Sequence, residues 1–221
     1  MHTSMPANQG FTFDAKCTQC PRLANFLAQI KSDNKNYFCQ PVPPFGDTQP
    51  QLFIVGLAPG MHGANRTGRP FTGDYAGVLL YQTLHQFGYA SAPVSVAADD
   101  GLTLIGCRIS NAVKCLPPEN KPTPQEINTC NTYLAAELTA LQNDALILAL
   151  GNIAHQAVLK ALKQKIKDYK FAHAARHVLS DGRILYDSYH CSRYNTQTKR
   201  LTDDMFQKVF AAIRYETENM R

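Results

Sequence analysis

Two continuous apolar runs, Leu52-Phe53-Ile54-Val55 and Ala145 to Leu150, most constrain what this chain can fold into. A strand with one wet face alternates apolar and polar residues, whereas a strand apolar at every position needs cover on both faces. Each run is followed by a segment with helical periodicity, Gly77 to Phe87 after the first and Asn152 to Lys163 after the second. Two more strands read from Leu102 to Ile109 and from Arg183 to Ser188. Three more helices read from Pro21 to Lys31, Thr123 to about Leu141 and Asp203 to about Tyr215. Thr123-Pro124-Gln125-Glu126 has the pattern of a helix start: an N-cap, proline in the first turn, and glutamate at the third position. Strands alternating with helices predict an α/β fold, a three-layer αβα arrangement around a central, mostly parallel four-stranded sheet. The 221 residues suit one such domain spanning 1–221, with the polar first ten residues loose.

In sheets of this kind ligands gather at the carboxyl ends of strands. Three loops there stand out, after residues 55, 109 and 188. The first, Gly56 to Asp74, reads GLAPGMHGANRTGRPFTGD. Its five glycines and two prolines let backbone approach a ligand closely, and packing alone does not need His62, Asn65, Arg66, Arg69, Phe71 and Asp74 together. The second delivers Ser110-Asn111, and the third runs from His190 to Thr198. The residues alone also support plainer readings. Asp74 precedes a helix and suits an N-cap, Asn111 suits a turn, Phe71 suits the core, and a histidine after a strand is commonly structural. His155, His173 and His177 keep that structural reading.

Net charge is +5, which leaves a polyanionic partner open without requiring one. The start MHTSMPANQG has no basic-then-apolar pattern, so no signal peptide is expected, and no apolar stretch approaches the ~18 residues of a membrane span. Seven cysteines without an export signal argue for reduced thiols in a cytosol. Cys17 and Cys20 form a C-x2-C knuckle, and fourteen residues separate Cys115 from Cys130. A zinc ribbon normally shows a second C-x2-C pair, while a four-iron cluster needs four thiolates and little else. Spacing therefore favours a metal and leaves zinc and iron–sulfur open. Cys39, Cys107 and Cys191 lack spacing partners and read as small core residues.

Four features stand together in the chain: GLAPGMHGANRTGRPFTGD at 56–74, the NAVKC of residues 111–115, the cysteine quartet, and HCSRYNTQT at 190–198. Together they resemble the iron–sulfur uracil-DNA glycosylases, within them family 5 (type b), over most of the chain from Cys17 to about Thr202. The resemblance implies a 4Fe-4S cluster on Cys17, Cys20, Cys115 and Cys130. Family 4 carries an acidic residue where this chain has Ala58. In the type b pattern the carboxylate role falls to a later aspartate, matching Asp74. One departure is Cys191, where the last motif usually has proline; that residue would stiffen the loop, so His190 is expected to be held slightly more loosely.

The resemblance implies a monofunctional enzyme that flips uracil, and other deaminated bases such as hypoxanthine and xanthine, out of duplex DNA and hydrolyses the N-glycosidic bond. Asp74, His190 and Asn111 are then catalytic: Asp74 on the sugar side, His190 donating to uracil O2, and Asn111 pairing with O4 and N3–H. Gly56, Ala58, Gly60 and Phe71 would surround the base with Asn111 and His190. Asn65, Arg66, Arg69, Ser192, Arg193, Tyr194 and Asn195 would touch DNA. The protein is expected to act as a cytoplasmic monomer on the nucleoid, with no membrane partner. Two other classes fit less well. An iron–sulfur electron carrier leaves the 56–74 loop unexplained. A phosphate-binding protein lacks both G-x-G-x-x-G and the lysine-bearing phosphate loop.

Overall fold

A computed structural model describes residues 13–220. Its centre is a sheet of six strands in the order β1-β3-β2-β4-β6-β5. Four strands run parallel in the middle: β2 (Leu52–Gly56), β3 (Cys107–Asn111), β4 (Leu146–Leu150) and β6 (Ile184–Ser188). Every residue of β2 and β4 is buried, as their unbroken apolar runs require. Two edge strands depart from the expected four. β1 (Phe45–Gly46) pairs antiparallel with β3, and β5 (Arg176–Val178) pairs antiparallel with β6. Both are too short to show a period in sequence. The third expected strand also starts late, at Cys107, because Leu102 to Gly106 leads in through a turn and only Leu104 makes an isolated bridge, to Ala90.

Alternate strand residues face opposite layers. Leu52, Ile54, Leu146 and Leu148 pack with α3 (Tyr75–Gln86) and α7 (Asp203–Asn219). Phe53, Val55, Ile147 and Ala149 pack with α4 (Pro124–Thr139) and α5 (Asn152–Ala161). Burying one such side chain stabilises the fold by roughly 1.5–3 kcal/mol, so two faces of a fully apolar strand hold the three layers together. The chain leaves β2 for β3 on one side, then crosses back to β4 on the other. The strand order therefore reverses between β2 and β4, and a crevice opens beyond their carboxyl ends.

Local sequence explains the starts of α4 and α1. Thr123 caps α4 and accepts from Glu126 N, while the Glu126 carboxylate accepts from Thr123 N, completing the box expected from the sequence. Glu126 also receives Arg22 of α1 (Pro21–Asp33) at 2.7 Å. That pair pins the start of α1, and Cys20 before it, against the helix carrying Cys130. No helix among the described residues is long and apolar enough to cross a membrane.

Arg69 overturns one expectation. It does not face DNA phosphates but is buried, with Nη1 donating to Asp100 at 2.7 Å and to Ser95, and Nη2 donating to the Ala98 carbonyl. Partial burial works to raise the Asp100 carboxyl, but the Arg69 guanidinium and the amides of Leu102, Val96 and Ala97 outweigh it and hold it well below the usual range. A depressed native value contributes stability above the unfolded aspartate value near 3.9, and that contribution is lost as pH falls toward the native value. Arg69→Met should therefore lower unfolding stability at pH 7 by about 2 kcal/mol, less than for a fully buried pair because Asp100 reaches solvent. Urea denaturation at pH 7 and pH 3 checks this: the gap between wild type and variant should narrow at the lower pH.

Candidate active site

A cavity of about 420 Å³ lies at the carboxyl ends of β2, β3 and β6, lined by Ala58, Gly60, Phe71, Asp74, Asn111 and His190 among others. The three loops singled out in the sequence do converge. Each contributes a different chemical group, and each group is fixed by its local fold.

Phe71 sits in the left-handed backbone region (φ 53°), uncommon for a bulky residue. Tyr81 Oη donates to the Pro70 carbonyl at 2.9 Å and holds the turn just before it. The Phe71 ring is buried and lies nearly parallel to the His190 ring, centroids 5.8 Å apart and planes at 28°. Gly56 lies beneath it rather than on the cavity wall. A Cβ there would fall 2.4 Å from Asn111 Oδ1 and 2.6 Å from Phe71 Cζ, so only glycine leaves room for both side chains.

Asn111 ends β3 and is buried, yet its Oδ1 has no hydrogen-bond partner among the described residues. Buried amides are nearly always paired. An unpaired one at the wall of a cavity is a group prepared for a ligand.

Asp74 both caps a helix and faces the cavity. Its Oδ1 accepts from Gly77 N at 2.9 Å at the start of α3, and its other oxygen lies against Gly60 and Gly63. Burial raises its carboxyl above the ordinary value, partly offset by the amides of Gly77 and Ala76. The two sequence readings of this residue are therefore compatible.

His190 follows β6. Burial alone pushes its imidazole down to about 4, so it is neutral near pH 7. Its backbone carbonyl accepts from Asn195 Nδ2 at 2.8 Å, and Cys191 beside it is fully buried in the core. The loop is thus anchored without a proline. Half-buried Asn195 spends its Nδ2 on this anchoring.

The remaining residues expected at DNA divide. Arg193, at the start of the short helix α6 (Arg193–Gln197), is exposed and lies 5.4 Å from the Tyr75 ring centroid, and Tyr194 is 70% exposed. Ser192 caps α6, accepting from Asn195 N, and lines the cavity. Arg66 is exposed but folds back, its Nε donating to the His62 carbonyl at 2.7 Å. Asn65 is fully buried, with Nδ2 directed at Cys39 Sγ, and cannot touch a phosphate. Sequence reasoning missed Asn120, which lines the cavity after Pro117-Pro118-Glu119. Glu119 and Asn120 both have positive φ, at 54° and 56°. The paired prolines before it were the available signal.

Cys17, Cys20, Cys115 and Cys130 line a second, small cavity of about 20 Å³, with Leu23, Val113 and Tyr133 around them. Burial pushes the Cys115 thiol up to about 12 and Cys130 to about 11, and Cys20 also rises; in each case neighbouring cysteines add to the shift. Four thiolates side by side thus call for a cation. Tetrahedral zinc with bonds of about 2.3 Å would bring the sulfurs to about 3.8 Å from one another. No three of them lie within 4.8 Å of one another. As placed, the sulfurs stand wider apart than one zinc ion would hold them, and four converging thiols are a donor set that suits a metal ion or an iron–sulfur cluster.

The sequence profile described as "Uracil DNA glycosylase superfamily" matches residues 43–214. This chain belongs to the uracil-DNA glycosylase superfamily. A type-5 uracil-DNA glycosylase of Thermus thermophilus is 44% identical over 198 residues, covering 87% of this chain and 90% of that protein. A type-5 enzyme of Pyrobaculum aerophilum is 40% identical over 197 residues, covering 87% and 85%. A type-4 enzyme of Thermotoga maritima is 31% identical over 137 residues, 62% and 57% of the two chains. The wider and stronger match to the type-5 proteins agrees with Ala58 standing where family 4 would carry an acid.

The neutral state of His190 has a direct check in this glycosylase-superfamily chain. Its ring nitrogens, followed by NMR, should show no titration between pH 8 and pH 5, with protonation only near pH 4. A midpoint above 6 would remove the desolvated setting argued for this ring.

Proposed function

We infer that this chain is a monofunctional uracil-DNA glycosylase of base-excision repair. It hydrolyses the N-glycosidic bond of a flipped deoxyuridine and leaves an abasic site. The observation that supports this most is the buried Asn111 Oδ1, without a partner among the described residues, beside Phe71, His190 and Asp74. An amide offers both a donor and an acceptor, the pattern that uracil O4 and N3–H require and that the amino group of cytosine mismatches. Phe71 provides a stacking face, worth roughly 1–3 kcal/mol for a base.

Bond cleavage leaves negative charge on the base and positive charge on the sugar. Neutral His190 donates a hydrogen bond to O2 as charge builds there, and needs no proton from solution to do so. The Asp74 carboxylate serves the sugar side, orienting water and stabilising the oxocarbenium-like centre. Asn120 adds a second amide at the cavity rim, available to the base or the attacking water. Arg193 and Tyr194 occupy the exposed loop that would fill the gap left by the flipped nucleotide. The reading extends to hypoxanthine and xanthine in duplex DNA, acted on by a cytoplasmic monomer.

Cys17, Cys20, Cys115 and Cys130 would hold a 4Fe-4S cluster. When bound it ties the segment before α1 to α4 and to the strand-end peptide carrying Asn111; glycosidic hydrolysis itself transfers no electrons.

Two tests follow from this reading. Wild-type protein should release uracil from a uracil-containing duplex, and Asp74→Asn should be slower by about 10²-fold or more. A raised carboxyl loses its active, ionised form at a higher pH than an ordinary aspartate. The acid limb of the wild-type kcat/KM profile should therefore lie above 3.8 and vanish in the variant. No release from any duplex would overturn the function, whereas an undiminished rate in the variant would overturn only the role of Asp74. Cys115→Ser should lower iron content from about four per chain and reduce the melting temperature. Unchanged iron by elemental analysis would remove Cys115 from the cluster.

A further inference from the structure

His155 of α5, His177 of β5 and Asp187 of β6 form a cluster that the glycosylase reading does not use. Asp187 is fully buried, and its carboxylate has no lysine or arginine partner among the described residues. Two imidazoles face it instead. His155 Nδ1 lies 2.8 Å from Oδ1, and His177 Nε2 lies 2.9 Å from Oδ2. The opposite nitrogen of His155, Nε2, is 2.9 Å from the Tyr169 carbonyl oxygen. A carbonyl can only accept, so Nε2 carries a proton and donates it. In neutral imidazole this leaves a lone pair on Nδ1, aimed at a carboxylate oxygen in a setting where His155 is 1% exposed. Two acceptors in contact and away from water need a proton or a metal ion between them.

We propose that His155 Nδ1, His177 Nε2 and Asp187 bind a divalent transition-metal ion of the zinc class. Two imidazoles and a carboxylate are a donor set that zinc takes, with a fourth position open to water. The Tyr169 carbonyl supplies the outer contact that fixes which nitrogen of a ligating histidine is free. The three ligand atoms already lie within 4.8 Å of one another. Tetrahedral bonds of about 2.0–2.1 Å place such atoms about 3.3 Å apart, so the 2.8 and 2.9 Å contacts need to open by only about half an ångström. Access exists on two sides. The His177 side chain is 12% exposed on the edge strand, and His155 lines a surface cavity of about 500 Å³ beside Tyr169 and Phe171. Lys167, Lys170 and Arg200 also line that cavity, so the ion must bind against exposed positive charge that water largely screens.

The site would be structural. Asp187, near the end of β6, stands three residues before His190, which follows that strand. A metal there would lock β5, β6 and α5 together behind the catalytic loop.

The test uses the full chain with its iron intact, incubated with excess zinc chloride, desalted, and analysed for zinc and iron together. Wild type should retain about one zinc per chain. His177→Gln, which leaves the His155–Asp187 pair in place, and Asp187→Asn should retain at least tenfold less at unchanged iron. Cobalt bound in place of zinc should give visible d–d bands without thiolate charge-transfer bands. Zinc retention equal in wild type and His177→Gln would overturn the proposal, as would cobalt with thiolate bands. No retention by wild type would overturn it too, leaving a proton shared between His155 and Asp187.

Discussion

The cavity depends on the space left by a missing side chain at Gly56. This residue ends the central strand β2 and pairs in register with Asn111 at the end of β3. A single methyl group there would overlap both the Asn111 amide and the Phe71 ring. The sheet thus sets the separation between backbone and side chains to within less than one atom's width. Phe71 can then turn back over the strand end, at the cost of about 1–3 kcal/mol for its left-handed backbone. Burial of its ring and the Tyr81 hydrogen bond offset that cost.

The same enclosure acts on the two titratable groups. Desolvation disfavours charge on both, so it raises the Asp74 carboxyl and depresses the His190 imidazole. For His190 this secures a neutral donor. For Asp74 it means that the ionised form is kept by the amides of Gly77 and Ala76, so the helix cap is also what sustains a charge in the pocket. A charge held by fixed backbone dipoles in a poorly solvated cavity acts more strongly on a developing cation than one surrounded by water. The N-cap and the carboxylate that the proposed function uses are one group.

What could be read from the sequence follows from the range of the interactions involved. The four central strands carry their burial in consecutive residues, and the start of α4 carries its cap within four, so both are legible. The edge strands are defined by their partners and are not. Arg69 shows the limit most clearly. In a glycine-rich polar loop it looks like a phosphate contact, yet Asp100, thirty-one positions on, claims it inside the fold. Asn65 is drawn inside in the same way, its amide directed at Cys39. His155 and His177 read as structural one at a time; only the pairing of α5, β5 and β6 brings them onto one carboxylate.

The peptide from Asn111 to Cys115 joins the two centres of the molecule in five residues. Ala112 N donates to the Gly56 carbonyl and Val113 N to the Leu57 carbonyl, both at 2.9 Å, which continues the β2–β3 pairing past the strand ends. Lys114 N then donates to Cys130 Sγ at 3.3 Å, and the next residue is itself one of the four cysteines. The Lys114 side chain, 1% exposed, returns to Ser110 and to both oxygens of Glu137 on α4. A buried ammonium so paired would be costly to displace. The segment therefore has almost no freedom to slide along α4. Any group that clamps Cys115 to Cys130 also fixes where the Asn111 amide stands against Gly56, some four residues away. Under the proposed function the cysteine quartet would serve base recognition through geometry, by keeping the Asn111 amide still, its Oδ1 without a partner among the described residues.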